Sequence, residues 1–177
     1  MSVPGQIPSM IEKTRLSHTM ELKIKALSPK IGTEIEYPSY ATSGSAGMDL
    51  RACIDEPFYL PGQNQMKLGA WAPRLVPTGL AIALPGPEYV ALVFARSGLA
   101  AKHGVALANG VGVIDSDYRG EIQVALFNHG WKDYLIQPGE RIAQLVVLPV
   151  AQAEILVTDT LDDTERGSGG FGSTGKA

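Results

Sequence analysis

The sequence has one cysteine, no long apolar run and little excess of charge. Cys53 alone excludes an internal disulfide and forms no metal site by itself, which suits a reducing compartment. No stretch approaches the roughly 18 apolar residues of a membrane helix, and the first residues lack a signal-peptide core. The net charge of -3 at pH 7 argues against a general nucleic-acid-binding surface, which would be basic. We therefore expect a cytoplasmic protein that binds neither membrane nor nucleic acid.

Glycine and proline are frequent instead, at 20 and 12 of 177 residues. They separate short apolar or alternating runs, which is the pattern of an all-β barrel or sandwich, and the length fits one domain. The predicted strands include LKIKAL (22–27), AGMDLRA (46–52), FYL (58–60), LAIAL (80–84), YVALVF (89–94), EIQVALFN (121–128), DYLIQPGE (133–140), RIAQLVVLPV (141–150) and AEILVTD (153–159).

One segment, SGLAAKHG at residues 97–104, has a helical pattern of no more than two turns. Ser97 is a typical N-cap, and Gly104 fits the C-terminal stop. A helix that begins at a serine after a strand offers free backbone N–H groups to an anion. Because most such caps are purely structural, the pattern alone favours a structural role for Ser97 over anion binding.

The two ends of the chain differ in character from its centre. Residues 1–19 are polar, contain two prolines and show no sustained period, so we expect a loose extension, with Met20 as an alternative natural start. The β-barrel domain is predicted over residues 20–163. Residues 164–177 are rich in glycine, which favours a flexible C-terminal arm.

The stretch from Asn109 to Glu121 carries the densest chemistry. Alternating apolar residues on both sides of a polar turn predict a β-hairpin. Its tip contains two carboxylates, an aromatic ring and a guanidinium, from Asp115, Asp117, Tyr118 and Arg119. The glycines beside them would let a ligand approach the backbone closely. A solvated hairpin whose aspartates only form Asx-turns is the alternative, and both interpretations stay open on this stretch alone.

Five stretches in a fixed order resemble the motifs of the homotrimeric dUTPase family. The resemblance covers about residues 20–177. Ala95 departs from the family's usual proline, which removes no functional group, and Gln123 occupies a variable position that is sometimes lysine. The stretches are AGMDLRA (46–52), ARSGLA (95–100), GVIDSDYRGEI (112–122), GERIAQL (139–145) and RGSGGFGSTG (166–175).

This resemblance implies a jelly-roll-like β-barrel with one short helix and a flexible C-terminal arm. Three subunits would surround a central channel and exchange their arms. It also implies hydrolysis of dUTP to dUMP and pyrophosphate by Mg2+-assisted attack of water on the α-phosphate. Such an activity keeps uracil out of DNA and supplies dUMP for thymidylate synthesis.

The family's motifs imply roles for single residues. Asp115 would hold and activate the attacking water. Tyr118 would pack on the deoxyribose, where a ribose 2′-hydroxyl would clash, and Gln123 would make at most a weak phosphate contact. The edge of the uracil would be read by Asn109, Gly112, Val113 and Ile114.

The remaining motifs imply a site for the triphosphate. Asp49 would help to order water around Mg2+, which would be carried by the triphosphate. Arg166 and Phe171 would come from a neighbouring subunit's arm and clamp the γ-phosphate and the uracil. The other phosphate contacts would come from Arg96, Ser97, Gly98 and Gln144.

The residue chemistry agrees with hydrolysis of a phosphoanhydride, which requires positioning, charge neutralisation and a base for water rather than a covalent nucleophile. Spacing alone would allow Asp117 as the base, and only the motif match selects Asp115. We expect Asp117 and Arg119 to form a turn-stabilising pair. A polar pair between Arg141 and Asp49 is a further hypothesis.

Two other functions remain candidates from the sequence. A dCTP deaminase has a similar fold and phosphate-binding serine region, but it needs a base beside position 4 of the pyrimidine. A catalytically silent nucleotide-binding regulator on this scaffold is the second alternative. The complete hairpin motif and the glycine-rich arm favour dUTP hydrolysis over both.

Overall fold

The computed structural model describes residues 19–55 and 64–170, and the short strands predicted from the sequence dominate this part of the chain. A single helix, α1 (Ser97–His103), lies within the described ranges. The strands are β1 (Lys23–Ala26), β2 (Met48–Arg51), β3 (Met66–Leu68), β4 (Pro73–Pro77), β5 (Leu80–Ala83), β6 (Tyr89–Ala95), β7 (Val105–Leu107), β8 (Gly112–Ile114), β9 (Gln123–Asn128), β10 (Tyr134–Ile136) and β11 (Arg141–Pro149).

All the strand pairs are antiparallel, and they form four small sheets in the described part of the chain. The largest sheet has the order β2-β11-β6-β8, and a three-stranded sheet has the order β4-β9-β7. Strands β1 and β5, and strands β10 and β3, form the two remaining pairs. This is the expected all-β, jelly-roll-like architecture, although the ladders do not join into one closed barrel.

The core lies between the sheets because alternate residues of each strand point inward. In β9, Val124 and Leu126 are buried while Ala125 and Phe127 between them are partly exposed. A fully buried leucine or valine side chain contributes about 1.5–3 kcal/mol. The largest fully buried side chains are Leu50, Ile54, Met66, Leu68, Leu126, Ile136, Ile142, Leu145, Val76, Val105, Val124 and Asn128.

The predicted central hairpin is wrong in one respect that matters for the site. Strand β8 pairs with β6, whereas β9 pairs with β4 and β7, so the two strands flanking the turn belong to different sheets. Period-two alternation identified both strands correctly but carries no information on their partners. The strands diverge from the turn and leave a slot between them.

Two further expectations are corrected. Ser97 is the first residue of α1 and not its N-cap, since Arg96 occupies the cap position and no side-chain cap bond is present there. Residues 153–159 form no strand, and Ile155, Leu156 and Val157 are 87–88% exposed. Gly104 is confirmed as the C-cap, with φ of 70°.

Some expectations fall where the structure gives no description. The N-terminal extension up to residue 18, the predicted strand at 58–60 and the end of the arm from residue 171 lie outside the described residues. Within the described ranges, every helix is too short or too polar to cross a membrane.

Candidate active site

The slot between β8 and β9 has a volume of about 240 Å³. It exists because the two strands leave the turn toward different sheets. Asp115 lines this slot, and Asp117 does not. The slot is lined by Val93, Leu107, Asn109, Gly112, Val113, Ile114, Asp115, Tyr118, Glu121, Ile122, Gln123, Val124 and Ala125.

The turn at the mouth of the slot is held by hydrogen bonds to its own main-chain carbonyls. The amide of Tyr118 donates to the carbonyl of Asp115 at 3.2 Å. Arg119 Nη1 donates to the carbonyls of Ser116 at 2.7 Å and of Tyr118 at 2.9 Å. The expected pair between Asp117 and Arg119 is therefore wrong among the described contacts, because this guanidinium binds main-chain oxygens instead. The Asp115 side chain is left exposed at the slot.

Because Gly112 has no side chain, the slot extends down to Val93 on β6. A Cβ at this position would lie 3.0 Å from Val93 Cβ and 3.8 Å from Asn109 Nδ2. Gly110 has φ of 72°, a conformation that glycine adopts without strain, and it turns the chain between Asn109 and β8. Backbone edges therefore form much of the slot wall.

A second cleft, of about 590 Å³, collects cationic and amide side chains. Asp49 lines this cleft and binds two arginines, through Oδ1 to Arg96 Nε at 2.9 Å and through Oδ2 to Arg141 Nη1 at 3.1 Å. The expected pair between Asp49 and Arg141 is therefore present, and Arg96 completes a triad. The cleft is lined by Ala41, Ser45, Ala46, Gly47, Asp49, Arg96, Ser97, Gly98, Arg141, Gln144 and Val146.

Gln144 projects from the middle of β11 into the second cleft. Its Nε2 donates to the carbonyl of Ala95 at 3.1 Å, which fixes the amide beside the start of α1. Gly47 makes room for it, since a Cβ there would lie 3.1 Å from Gln144 Oε1. Ser97 and Gly98 are exposed at the same edge. The two clefts have no lining residue in common among the described residues.

Comparison with known proteins identifies the family. The model of the family described as dUTPase matches residues 33–175. The chain belongs to the dUTPase family. It is 47% identical over 156 residues to the deoxyuridine 5'-triphosphate nucleotidohydrolase of Klebsiella pneumoniae, covering 88% of this chain and 97% of that protein. Identity to the protein of the same name from Enterobacter sp. is 49%, with the same coverage of both chains.

Solved dUTPase structures have the same fold. The Staphylococcus bacteriophage 80alpha dUTPase with dUPNHPP superimposes with a TM-score of 0.75 at 25% identity, over 89% of this chain and all of that one. A mutant dUTPase from phage phi11 of S. aureus, described as coordinating a structural Mg(II) ion, has a TM-score of 0.66 at 19% identity. That match covers 81% of this chain and 100% of the phage protein.

The described side chains form no metal site by themselves. Within the described ranges, no three His, Cys, Asp or Glu side chains are grouped to hold a metal ion. Both oxygens of Asp49 bind arginines. Cys53 is buried, and burial raises the pKa of its thiol. These groups fit Mg2+ only as an ion held mainly by phosphate oxygens.

The dUTPase site residues expected from the sequence fall into two groups. One group lines the slot, and the other lines the second cleft. Arg166 lines neither, and its Nε donates to the carbonyl of Gly169 at 3.0 Å. Phe171 lies outside the described residues. The slot group is Asn109, Gly112, Val113, Ile114, Asp115, Tyr118 and Gln123, and the cleft group is Asp49, Arg96, Ser97, Gly98 and Gln144.

Among the residues that shape the two clefts, three that carry a charge or make room for a side chain had no predicted substrate role. Arg141 lines the second cleft, Glu121 lines the slot, and Gly47 shapes the space around Gln144. All three lie within the family's motifs, so the sequence indicates the segments that contain them. Their individual contacts depend on segments that are distant in sequence, and no local pattern reveals them.

Proposed function

We propose that this chain hydrolyses dUTP to dUMP and pyrophosphate, which keeps uracil out of DNA and supplies dUMP for thymidylate synthesis. One observation carries the proposal, namely that the exposed carboxylate of Asp115 lines a small, glycine-containing slot in a member of the dUTPase family. The relatives named deoxyuridine 5'-triphosphate nucleotidohydrolase support the choice of substrate. The deaminase and the silent regulator have no such support.

The slot is the proposed uracil site. Its walls combine backbone edges around Gly112 with the amide of Asn109, which offers both a donor and an acceptor to a pyrimidine edge. A volume of about 240 Å³ suits a single ring. On this proposal, the backbone walls around Gly112 would exclude a thymine methyl group. Tyr118 at the same slot would pack on the deoxyribose.

Asp115 is the proposed base for water. An exposed carboxylate beside the bound nucleotide would orient a water molecule toward the α-phosphorus and accept its proton. General-base assistance of this kind is worth about 10²–10⁴-fold. The remaining acceleration requires stabilisation of charge on the leaving pyrophosphate, which positioned cations provide.

The second cleft is the proposed triphosphate site. Arg96 would bind phosphate while Asp49 holds its guanidinium in place, and Gln144 and Ser97 would add hydrogen bonds. Phosphate oxygens, together with Asp49 through water, would hold Mg2+, which neutralises charge on the phosphates. Each of these side chains is already positioned by a contact or a backbone element in the free chain.

We further propose a homotrimer, because one copy presents the two halves of the site separately. The slot and the second cleft have no described residue in common, so a second copy would bring its slot to this copy's cleft. On the outer face of the largest sheet, Leu92 lies opposite Val113 and Val146, beside the polar residues Asp49 and Gln144. Val113 is 64% exposed, which leaves that face available to another subunit.

The exposed tail after β11 supports an exchange of C-terminal arms between subunits. Ile155, Leu156, Val157 and Leu161 are each 87–88% exposed, which is costly for apolar side chains unless another surface covers them. Docking this segment on a neighbour would deliver Arg166 and Phe171 to a site on another copy. A cytoplasmic location remains a prediction from the sequence.

The test is a pyrophosphate-release panel over dUTP, dTTP, UTP and dCTP, with and without Mg2+. We expect release from dUTP alone at an appreciable rate, dependent on Mg2+, with kcat falling at least about 10²-fold in Asp115→Asn. Asp117→Asn is the matched control and keeps most of the activity. Ammonia from dCTP, or release that survives Asp115→Asn, would contradict the proposal.

A further inference from the structure

The hydroxyl end of the Tyr118 ring lies directly against Gly120. The phenol donates a hydrogen bond to the carbonyl of Glu121 at 2.9 Å. A Cβ built on Gly120 would lie 2.6 Å from Tyr118 Cζ and 3.0 Å from Cε2, and it would also clash with the hydroxyl. The ring therefore occupies space that is open only because residue 120 has no side chain.

Glu121, which accepts the bond from Tyr118, is anchored to the corner between β4 and β5. The amide of Gly79 donates to Glu121 Oε1 at 2.7 Å. The next residue is fixed as well, because the amide of Ile122 donates to the carbonyl of Leu80 at 2.8 Å. The carbonyl that receives the Tyr118 hydroxyl is thus held by the sheet beneath it.

We propose that Gly120 and Glu121 are positioning residues that set the enzyme's preference for deoxyribose over ribose by fixing the plane of the Tyr118 ring. The inference rests on the proposed dUTP hydrolysis and deepens it. Gly120 itself does not line the slot, so it acts on the sugar only through Tyr118.

The physical reason is the fate of the 2′-hydroxyl. Because the Tyr118 hydroxyl is already bonded to Glu121, the ring offers the sugar an apolar surface. A ribose hydroxyl pressed against that surface would lose water without gaining a partner, and an unsatisfied buried hydroxyl is unfavourable. If the Tyr118 ring were displaced, water could reach the ribose 2′-hydroxyl again, and this penalty would be lost.

Substitution of Gly120 by alanine should move the ring without unfolding the chain. The φ angle of Gly120 lies outside the left-handed region, so alanine fits the backbone. The atoms that a Cβ would meet belong to the tip of the Tyr118 side chain, which is 45% exposed and free to swing outward. Selectivity should therefore change while the fold persists.

The experiment measures kcat and KM for dUTP and UTP in the full chain, its Gly120→Ala variant and Tyr118→Phe, which lacks the donor to Glu121. We expect the ratio of kcat/KM for dUTP over UTP to fall about tenfold in Gly120→Ala and less in Tyr118→Phe. The change should appear mainly in KM, because Asp115 is untouched. Gly44→Ala is the control, since a Cβ there meets no atom within 4 Å.

Stability and binding measurements separate the possible failures. A Tm near that of the wild type, with a changed ratio, supports the positioning role. A ratio within twofold of the wild type in Gly120→Ala overturns it. Absence of dUTP turnover in the wild type would instead overturn the proposed function. The affinities of dUTP and UTP for Asp115→Asn, with and without Gly120→Ala, then test the ring's role without turnover.

Discussion

At the scale of single residues, the two arginines that bind Asp49 are the most informative contact in the second cleft. The Asp49 side chain is 20% exposed, and those of Arg96 and Arg141 are 28% and 46% exposed. A partly buried carboxylate with a cation on each oxygen is fixed in position. Asp49 therefore orients Arg96 more than it would contact the substrate itself.

A double-mutant cycle tests this arrangement. We expect Asp49→Ala and Arg141→Ala to show a coupling in unfolding free energy of about 0.5–1 kcal/mol, since the pair is only partly shielded from solvent. Chemical denaturation measures it. The exposed pair Glu21 and Lys23, with atoms 3.8 Å apart, is the control and should show coupling near zero. Equal coupling in both pairs would remove the structural role of Asp49.

Tyr134 gives a prediction about alkaline pH. Burial of the phenol, followed by its hydrogen bond to Glu140, raises the pKa of Tyr134 above its ordinary value of 10.0. The unfolded chain releases this proton near pH 10 whereas the folded chain retains it, so stability is complete below pH 10 and declines above it. We expect Tm to fall less between pH 9 and 11 in Tyr134→Phe than in the wild type.

The control for this measurement is Tyr40→Phe, at a side chain that is 54% exposed, and it should keep the wild-type slope. Some alkaline loss remains in every variant, because the pKa of Cys53 is also raised by burial. Identical slopes for Tyr134→Phe and the wild type would contradict the assignment to Tyr134.

At the scale of elements, the position of α1 was predicted correctly, but its N-cap was not. The helix was predicted over the residues where it occurs, but Ser97 makes no capping bond. Ser97 lines the second cleft and does not close the helix. The structural role that sequence patterns favour for such a serine is therefore absent here.

Substitutions in α1 should separate stability from catalysis. We expect Ser97→Ala to change the unfolding free energy by less than about 0.5 kcal/mol, while kcat falls about tenfold and KM changes less. Ala101→Gly, in the exposed interior of the same helix, should do the reverse. It should cost about 1 kcal/mol and leave kcat unchanged. A large loss of stability in Ser97→Ala would indicate a capping role after all.

At the scale of the whole molecule, residues 151–168, which follow β11, are exposed throughout. Their four large apolar side chains remain almost fully exposed, although the other described residues bury a continuous core. The segment was predicted as a strand because its composition suits one. A strand needs a neighbouring edge, and on this proposal another subunit supplies it.

Two changes to the tail should have different effects. Deleting residues 164–177 should leave the proposed trimer and its Tm nearly intact while lowering kcat about a hundredfold or more, because the cation of Arg166 is lost. Ile155→Ser combined with Val157→Ser should weaken the trimer itself. Analytical ultracentrifugation and pyrophosphate release report the two effects. Unchanged turnover after the deletion would contradict the proposed clamping of substrate by Arg166 and Phe171. An unchanged trimer in the double variant would contradict docking of the tail on a neighbouring subunit.

The sequence by itself determined the local properties of this protein. Alternation, turn glycines and prolines set where most strands and α1 lie, and the order of five motifs identified the family and the candidate residues. These features depend on neighbours along the chain, so they are readable without a fold.

Only the tertiary structure decided which strands meet. The separation of β8 and β9 into different sheets, which opens the slot beside Asp115, depends on long-range register that alternation does not encode. The same holds for the two arginines on Asp49 and for the space above Gly120 that Tyr118 fills. Each arises from contacts or clearances in three dimensions, and these exist only once the chain has folded.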